Sequence, residues 1–451
     1  MRHESANRSS AWANHCTRVQ SMATALADSS GPVRLRKPTS NLFRPRGTEK
    51  RTELDAASLT HVIEIDAEAG YAEVEGMTTY ADLVDATVPH GLAPAIIPEL
   101  KSITVGGAVS GVGIESGGFR YGLVHHTMHE LDVLVADGRV LTCSPDQRPG
   151  LFFGFPNSYG SLGYATQVRI GLIPVQPFVR LEHVRYSDPA RLFEAIGTEC
   201  AHPDCDWLEA VSFGPGEFVL TRAHRADALP ATVRAGDYTF MRQYWQSLRE
   251  KHEDYLTIYD YLWRWDTDWF WCSKNVGAQF KPIRLILGRK RLNSVTYQKI
   301  MRASHHRPLS LIHHLRPRTE SVIQDVDIPI GNAAAFLAEF EDEIGIRPVW
   351  ICPFVVPDRR FSLFTLRTDT PYINFGFWDM VRSSKPDGHY NARVEQLVKK
   401  HGGKKSLYSR STYDETTFWT EYDRPRYQAL KHECDPEGRF PGLYEKAVQR
   451  E

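Results

Sequence analysis

A glycine-rich segment in the first third of the chain constrains the fold more than any other feature. Residues 98–122 read PELKSITVGGAVSGVGIESGGFRYG and contain seven glycines in 25 positions, about four times the average usage. Because glycine has no side chain, such a segment lets the backbone approach another chain segment or a ligand closely. Three interpretations are open: tight turns in a sheet, a Rossmann fingerprint, and a loop whose amides bind a pyrophosphate as an anion nest.

The spacing of these glycines favours the third interpretation. Gly111 and Gly113 begin a G-x-G pattern, but Ser116 stands where the third glycine of a Rossmann fingerprint belongs, and no clear helix pattern follows. Isolated glycines usually make turns, whereas seven so close together exceed what turns require. An anion-binding loop therefore needs support from other parts of the chain.

The hydrophobic pattern predicts an α+β fold with two domains. Short strand-like runs separated by Gly, Asp and Pro occupy residues 31–177. Longer helical stretches begin near residue 178, and strand patterns return between 311 and 377. Residues 401–451 form an aromatic, charged C-terminal segment. We expect residues 1–30 to be poorly ordered, and Met22 is an alternative start.

Composition excludes several classes of protein. The chain has 451 residues, 42% of them hydrophobic and 24% charged, so a disordered, collagen-like or disulfide-stapled chain is excluded. The 54 basic and 55 acidic residues give no global attraction to nucleic acid. The seven cysteines form no CxxC pair and no zinc-like cluster, which predicts reduced thiols and no metal site. No stretch approaches the ~20 apolar residues that span a bilayer. We therefore expect a cytoplasmic protein.

The succession of motifs after the glycine-rich segment resembles the flavin-binding (PCMH-type) domain of the vanillyl-alcohol oxidase family. The segment is followed by ELDVLVADGRVL, by Leu151-Phe152 and by Tyr159-Gly160-Ser161-Leu162-Gly163. Within this family, the glycine-rich segment, RPVWICPF and LYSRSTYDETTFW look like the delta-24-sterol reductase (Diminuto-type) branch. The resemblance runs from about Val33 to Tyr444, and it implies a two-subdomain FAD-binding domain over 31–177. A substrate (cap) domain over 178–400 would follow, and residues 401–451 would return to the flavin.

The resemblance also implies which residues bind FAD. The first loop would be Lys37, Pro38, Thr39, Ser40 and Asn41, although prolines and hydroxyl residues stand where relatives commonly have glycines. The second loop and the flavin-facing turn would comprise Thr104, Val105, Gly106, Gly107, Gly111, Gly113, Ser116, Gly160, Ser161 and Gly163. Neither loop contains a His or Cys for a covalent link, and His125 and His126 lie after the second loop. We expect noncovalent FAD, with NADPH as electron donor.

The implied reaction is the reduction of an isolated carbon–carbon double bond in a lipid. Such an alkene has no carbonyl to polarise it, so protonation must generate a tertiary cation that a flavin hydride can quench. The general acid is expected among His, carboxylate and Tyr side chains. The candidates are Tyr408, Tyr413, Asp414 and Glu415 in the C-terminal motif and His389 before it. Each could equally have a structural role.

Two further segments are open to more than one interpretation. Residues 259–271 contain seven aromatic side chains in thirteen positions, which suits a packed core, a lipid tunnel or a wall that stabilises a cation. Residues 269–319 contain eleven Lys and Arg and no acid. One interpretation of this run is a solvated face whose cations pair with distant acids, and the other is a patch that docks on anionic lipid. RNA binding would use similar charge, but no RNA-binding motif accompanies the run.

The combined prediction is an FAD-dependent lipid reductase. The first substrate hypothesis is a methylene-branched fatty acyl chain of a phospholipid, because the chain lacks the N-terminal membrane segment of the sterol reductases. A lipid methyltransferase acting upstream is then an expected partner, and the protein would lie peripherally on the inner face of the membrane. A sterol side chain, a flavin oxidase of a small alcohol and a membrane-binding module without catalysis are the alternatives.

Overall fold

The computed structural model describes residues 2–37, 43, 50–304 and 318–448. Its strands, in chain order, are β1 (Val33–Arg36), β2 (Thr52–Asp55), β3 (Val62–Asp66), β4 (Tyr71–Glu75), β5 (Leu92–Pro94), β6 (Met128–Leu134), β7 (Val140–Cys143), β8 (Tyr164–Pro174), β9 (Phe178–Tyr186), β10 (Trp207–Gly214), β11 (Glu217–Ala226), β12 (Glu253–Thr257), β13 (Thr319–Pro329), β14 (Val349–Phe354), β15 (Tyr372–Arg382) and β16 (Lys404–Lys405).

The α-helices of the described residues are mostly short and lie between the strands. They are α1 (Arg2–Ala27), α2 (Tyr80–Thr87), α3 (Val105–Gly111), α4 (Gly118–Tyr121), α5 (Pro149–Gly154), α6 (Pro189–Ala201), α7 (Tyr244–Glu250), α8 (Ile258–Leu262), α9 (Lys281–Leu287), α10 (Ser294–Ser304), α11 (Ile330–Glu343), α12 (His389–Lys400), α13 (Glu415–Glu421), α14 (Arg424–Cys434) and α15 (Leu443–Ala447). Helices and largely antiparallel sheets together confirm the predicted α+β class.

Two large sheets divide the chain. The first has the order β3-β4-β8-β6-β7, with β5 paired to β8, and β1 and β2 form a separate parallel pair. The second has eight strands in the order β12-β9-β11-β10-β14-β15-β13-β16. The chain passes from one sheet to the other between Pro174 and Phe178, close to the domain boundary that the sequence suggests.

The second sheet has a helical layer over one face. Helices α6, α11 and α12 pack on it, and Leu192, Phe336, Phe375 and Val394 lie in a fully apolar core. The α11 sequence IGNAAAFLAEFEDE places apolar side chains three and four residues apart, which buries one stripe of the helix. The other face of this sheet therefore remains for contacts with the first domain.

The N-terminal segment differs from the expectation of poor order, because residues 2–27 form helix α1. Val19, Met22 and Leu26 are buried against residues of the first sheet and against Phe440 near the C-terminus. Their spacing of three and four residues is the pattern of one helix face. This pattern is hard to recognise in the sequence because residues 1–16 are mostly polar. His15 also contacts the buried carboxylate of Glu75 at 2.9 Å.

None of the helices within the described ranges is long and apolar enough to cross a membrane.

Candidate active site

A cavity of about 220 Å³ lies where the glycine-rich segment faces the second sheet. Five distant parts of the chain form its wall: the residues after β1, the segment around α3, the turn at Tyr159, the turn after α8, and β13 to β15 with the residues after β16. Its lining residues are Lys37, Phe43, Pro98, Glu99, Leu100, Ser102, Ile103, Thr104, Gly107, Ala108, Ser110, Gly111, Val112, Gly113, Ile114, Tyr159, Trp269, Phe270, Asp325, Trp350, Trp378, Ser406 and Tyr408.

Helix α3 presents Gly107 and Gly111 to this cavity. Thr104 caps the helix, its hydroxyl accepting the Gly107 N–H at 3.2 Å. The amides of Val105, Gly106 and Ala108 donate to protein carbonyls at 2.8–3.0 Å. The amides of residues 105–108 are thus already bonded, and the anion-nest interpretation is not supported at these positions.

The glycines of the segment serve two different purposes. Gly107 and Gly111 line the cavity and leave its wall free of side chains there. Gly113 also lines the cavity, but its added Cβ would lie 2.8 Å from a Val124 methyl carbon, so this glycine permits tight packing. Gly106 packs on the backbone of Gly76, whose carbonyl oxygen would lie 2.7 Å from an added Cβ. Tight packing and an open cavity wall therefore both explain the density of glycine.

The remaining residues expected to bind FAD are distributed around the cavity. Lys37 lines it, whereas Pro38, Thr39, Ser40 and Asn41 lie outside the described residues. Val105 is buried in the core. The Ser116 hydroxyl lies 2.6 Å from a carboxylate oxygen of Glu115 and does not line the cavity.

The turn at 159–163 is fixed by the C-terminal helices. Tyr159 lines the cavity, and its hydroxyl donates to the Gly111 carbonyl at 3.0 Å. Lys446 donates to the carbonyl of Gly160 at 2.8 Å, and Lys431 donates to that of Ser161 at 2.9 Å. Gly160, Ser161 and Gly163 are not among the lining residues of the cavity; Gly163 instead packs against Leu134 of β6, whose carbonyl oxygen would lie 2.7 Å from an added Cβ.

Aromatic rings form the wall opposite the glycines. Phe270 lies 4.5 Å from Trp378 and 5.3 Å from Trp350 between ring centroids, and Phe43 lies 5.8 Å from Trp269. Of the seven aromatic residues in the 259–271 run, only Trp269 and Phe270 line the cavity.

The turn that carries these two rings has an uncommon backbone. Trp269, Phe270 and Trp271 have φ values of 49°, 46° and 55°. Left-handed backbone in non-glycine residues costs about 1–2 kcal/mol each, and such strain persists where packing imposes it, commonly at functional sites. Trp271 is buried in the core beside Trp265, at 5.3 Å between ring centroids, which supplies that packing.

The carboxyl of Asp325 on β13 lines the cavity. Burial of this carboxyl raises its pKa to about 7, with a hydrogen bond from Tyr408 partly opposing the rise. Trp378 donates its indole N–H to the Tyr408 hydroxyl oxygen at 2.9 Å, so the Tyr408 O–H can in turn donate its hydrogen bond to Asp325. The Asp325 Oδ1 is buried with no hydrogen-bond partner among the described residues. This carboxyl can hold a proton near neutral pH.

Of the acids proposed from the sequence, the structure brings Tyr408 alone to the cavity. Tyr413 packs beside Tyr422 at 6.4 Å between ring centroids and does not line the cavity. Glu415 is exposed and ion-paired with Arg424 at 3.5 Å. His389 is exposed at the start of α12, and Asp414 caps α13.

Sequence reasoning missed Asp325. A signal was present in VIQDVDIPI, because Asp325 and Asp327 alternate with apolar residues in a strand, which places both carboxyls on one face. Asp327 is also buried, its pKa raised to about 8, and its carboxylate accepts a hydrogen bond from Asn374 at 2.8 Å.

Gly376 on β15 makes room for the acid. It pairs with Asp325 on one side and with Trp350 on the other. A Cβ on Gly376 would lie 2.7 Å from the Asp325 Oδ1 and would collide with the Trp378 ring. Gly376→Ala should therefore lower the free energy of unfolding by about 1–3 kcal/mol and displace both side chains. Denaturant titration measures this loss. Gly197→Ala lies within α6, where its Cβ would meet only Ile330 at 3.5 Å, so this control should not lower the free energy of unfolding.

Comparisons with known proteins agree with this geometry. Residues 11–144 match the family described as FAD binding domain. The Delta(24)-sterol reductase of Homo sapiens is 26% identical over 409 residues, which cover 86% of this chain and 76% of the relative. The Delta(24)-sterol reductase homolog of Caenorhabditis elegans is 24% identical over 428 residues, 89% of this chain and 80% of the relative. Cytokinin dehydrogenase 6 of Oryza sativa is 40% identical over 120 residues, 27% of this chain and 23% of the relative. The chain is an FAD-dependent oxidoreductase.

The residues of the cavity fit this cofactor. Gly107 and Gly111 leave one side of the cavity free of side chains and form a cradle, and the aromatic rings of the wall offer flat apolar surfaces. Gly107→Val should therefore abolish FAD content, because its side chain enters the cradle and crowds Thr104 Oγ1, 2.7 Å from the added Cβ. The flavin absorbance of the purified variant measures this. Gly331→Val, an exposed position with open space around it, is the matched control, and full flavin loading of folded Gly107→Val would contradict the assignment.

The cofactor should be removable by acid. Within the described part of the chain, neither a histidine nor a cysteine lines the cavity, and His125 is buried against Phe361 with 4.4 Å between ring centroids. Precipitation with acid should release the yellow colour into the supernatant. Colour retained in the pellet would mean a covalent link.

Proposed function

We propose that this protein reduces an isolated carbon–carbon double bond of a lipid, using NADPH. The overall balance is one alkene, one NADPH and one proton giving the saturated chain and NADP⁺. The observation that carries the proposal is a carboxyl with a pKa near 7, Asp325, placed in an aromatic cavity beside the cofactor cradle. The names of the sterol reductases that match most of the chain support the same reaction class.

Reduced FAD supplies the hydride in this chemistry. The chain's own residues must supply the proton and hold the alkene. Protonated Asp325 gives its proton to the less substituted alkene carbon, and Tyr408 holds the carboxyl by its hydrogen bond. The positive charge that develops on the other carbon faces the rings of Trp378, Phe270 and Trp350, whose π-faces attract cations. The rings also exclude water, which would otherwise capture the cation.

The preferred substrate is a methylene-branched fatty acyl chain of a phospholipid. Protonation of its CH₂ group gives a tertiary cation, and the product is a methyl branch. A reaction that transfers one carbon to an acyl double bond must supply this substrate, so a lipid methyltransferase would act upstream. A sterol side chain is the second candidate, because it carries the same doubly substituted alkene carbon and sterol reductases cover 86% of this chain.

Separate half-reactions test the proposal. NADPH should bleach the flavin without oxygen, and adding the methylene-branched lipid should restore the yellow colour as the lipid gains two hydrogens by mass spectrometry. In D₂O with unlabelled NADPH, deuterium should appear on the carbon that Asp325 protonates. Comparing kcat/KM for acyl and sterol substrates decides between them. Reoxidation by oxygen alone, with hydrogen peroxide and no lipid product, would indicate an oxidase, and a colourless protein would indicate a membrane-binding module.

A further inference from the structure

Helix α9 and the residue before it expose an apolar patch. Phe280, Leu285 and Ile286 are 68%, 61% and 79% exposed. The one fully buried side chain of the helix is Arg284, so its polarity is the reverse of an ordinary surface helix. Three large apolar side chains within seven residues are therefore exposed, and clustered exposed apolar surface of this kind marks an interaction surface in soluble proteins.

Cations surround this patch. Lys281, Lys290 and Arg291 are exposed, and none of them forms an ion pair with another described residue. Two other cations of the 269–319 run are neutralised by distant acids: Arg289 pairs with Asp237 at 2.8 Å, and Lys274 with Asp379 at 2.6 Å. Residues 305–317 of the run lie outside the described residues. Three of the exposed cations of the described run that form no ion pair with another described residue therefore lie at residues 281–291, and the others are Lys299 and Arg318.

The patch is anchored to the cavity wall. Arg284 donates to the Ala278 carbonyl at 2.9 Å and to the Phe240 carbonyl, which holds α9 down. Gln279 donates to the Trp271 carbonyl at 3.2 Å, in the turn whose Trp269 and Phe270 line the cavity. A ligand of α9 would thus lie next to the turn that forms part of the active-site wall.

We propose that α9 docks the protein on an anionic lipid bilayer. Phe280, Leu285 and Ile286 would enter the boundary between headgroups and acyl chains, while Lys281, Lys290 and Arg291 contact anionic headgroups. Charge complementarity favours a bilayer over a protein partner, because cations flank the apolar tip and no acidic residue occurs between Trp269 and Thr319. Docking does not depend on the reaction, although it explains how a bilayer lipid reaches the cavity.

Vesicle co-sedimentation of the flavin-loaded protein tests this docking. The probes are vesicles of phosphatidylcholine with phosphatidylglycerol, and of phosphatidylcholine alone. One variant combines Lys281→Gln, Lys290→Gln and Arg291→Gln, and another combines Phe280→Ser, Leu285→Ser and Ile286→Ser. The matched control neutralises exposed cations elsewhere on the fold: Arg148→Gln, Arg359→Gln and Lys399→Gln.

Wild type and control should bind anionic vesicles, and binding should weaken as salt screens charges beyond about 8 Å. At about fivefold per cation, the charge variant should bind on the order of a hundredfold more weakly, and the apolar variant should also lose most binding. Wild-type binding by either variant, or equal loss in the control, would overturn the proposal. So would a protein that binds neither vesicle but dimerises through this patch. Turnover of detergent-dispersed lipid reports the chemistry separately, and should be unchanged in both variants.

Discussion

Asp325→Asn should abolish lipid reduction while NADPH still bleaches the flavin at the wild-type rate. General acids contribute about 10²–10⁴-fold to a rate, so turnover should fall by at least a hundredfold. Asparagine keeps the shape of the carboxyl but has no acidic proton to give. Stopped-flow absorbance of the flavin and mass spectrometry of the lipid measure the two half-reactions in the same sample.

The pH dependence of wild type follows from the same group. Asp325 is active when protonated, and its pKa of about 7 predicts that turnover falls as pH rises above this value. The pKa of Asp325 in the folded state lies above the value of about 3.9 in the unfolded state. The neutral carboxyl therefore contributes its full stabilisation of the folded state below pH 4, and this stabilisation is lost as pH rises through 7. An asparagine side chain at this position does not ionise. The Asp325→Asn variant should therefore unfold at a higher temperature than wild type above pH 7.

Two companion variants distinguish the role of Asp325 from the roles of its neighbours, Asp327 on the same strand and Tyr408 in the same hydrogen-bonded network. Asp327→Asn removes a second buried carboxyl of β13 that does not line the cavity, and turnover should remain within a few-fold of wild type. Tyr408→Phe removes the hydrogen bond to Asp325 and should shift the pH profile to higher values while retaining part of the turnover. Full turnover in Asp325→Asn would exclude it as the acid.

Arg264→Met should lower the free energy of unfolding by about 3–5 kcal/mol, the cost of breaking a buried ion pair from one side. The Arg264 side chain is fully buried and contacts three carboxylates, Glu99 at 2.6 Å, Glu115 at 2.8 Å and Glu209 at 2.9 Å. Its guanidinium also lies 4.2 Å from the centre of the Tyr261 ring. Denaturant titration measures the loss.

The charges in this cluster explain the expected size of the effect. Burial raises the pKa of Glu99 well above its ordinary value, while Arg264 holds the pKa of Glu115 below its ordinary value. Without the guanidinium, the Glu115 carboxylate is buried with no cation. The variant should therefore regain part of its stability as pH falls and Glu115 becomes protonated.

The cluster also joins the domains across the cavity. Glu99 lines the cavity, Glu115 follows α3, and Glu209 lies on β10 and accepts the indole N–H of Trp350 at 2.8 Å. FAD content should thus fall together with stability in Arg264→Met. Arg249→Met is the matched control: its pair with Glu217 at 2.6 Å is exposed on both sides, and such pairs contribute about 0–1 kcal/mol. Equal losses in the two variants would contradict this account of the cluster.

The sequence by itself determined the fold class, the cofactor and one part of the site. Alternating strand patterns are local signals whose physical meaning depends little on distant residues, and the glycines of residues 98–122 indicate that the backbone is closely approached, although not by what. Tyr408 was found because it lies in a contiguous motif, LYSRSTYDETTFW. Local patterns succeed here because backbone approach and strand periodicity are properties of neighbouring residues.

Only the tertiary structure decided which acid faces the cavity and which charges are free. Asp325, Gly376 and Trp350 come together through the register of three strands whose residues are distant in sequence, and no local pattern encodes that register. Arg264 lies in the aromatic run of residues 259–271, but the three carboxylates with which it pairs lie 55 to 165 positions away in the chain. Likewise, Arg289 seemed free in an acid-free run until the fold brought Asp237 to it. The free energy of a buried or paired charge depends on which groups surround it in space, and chain folding alone sets those neighbours.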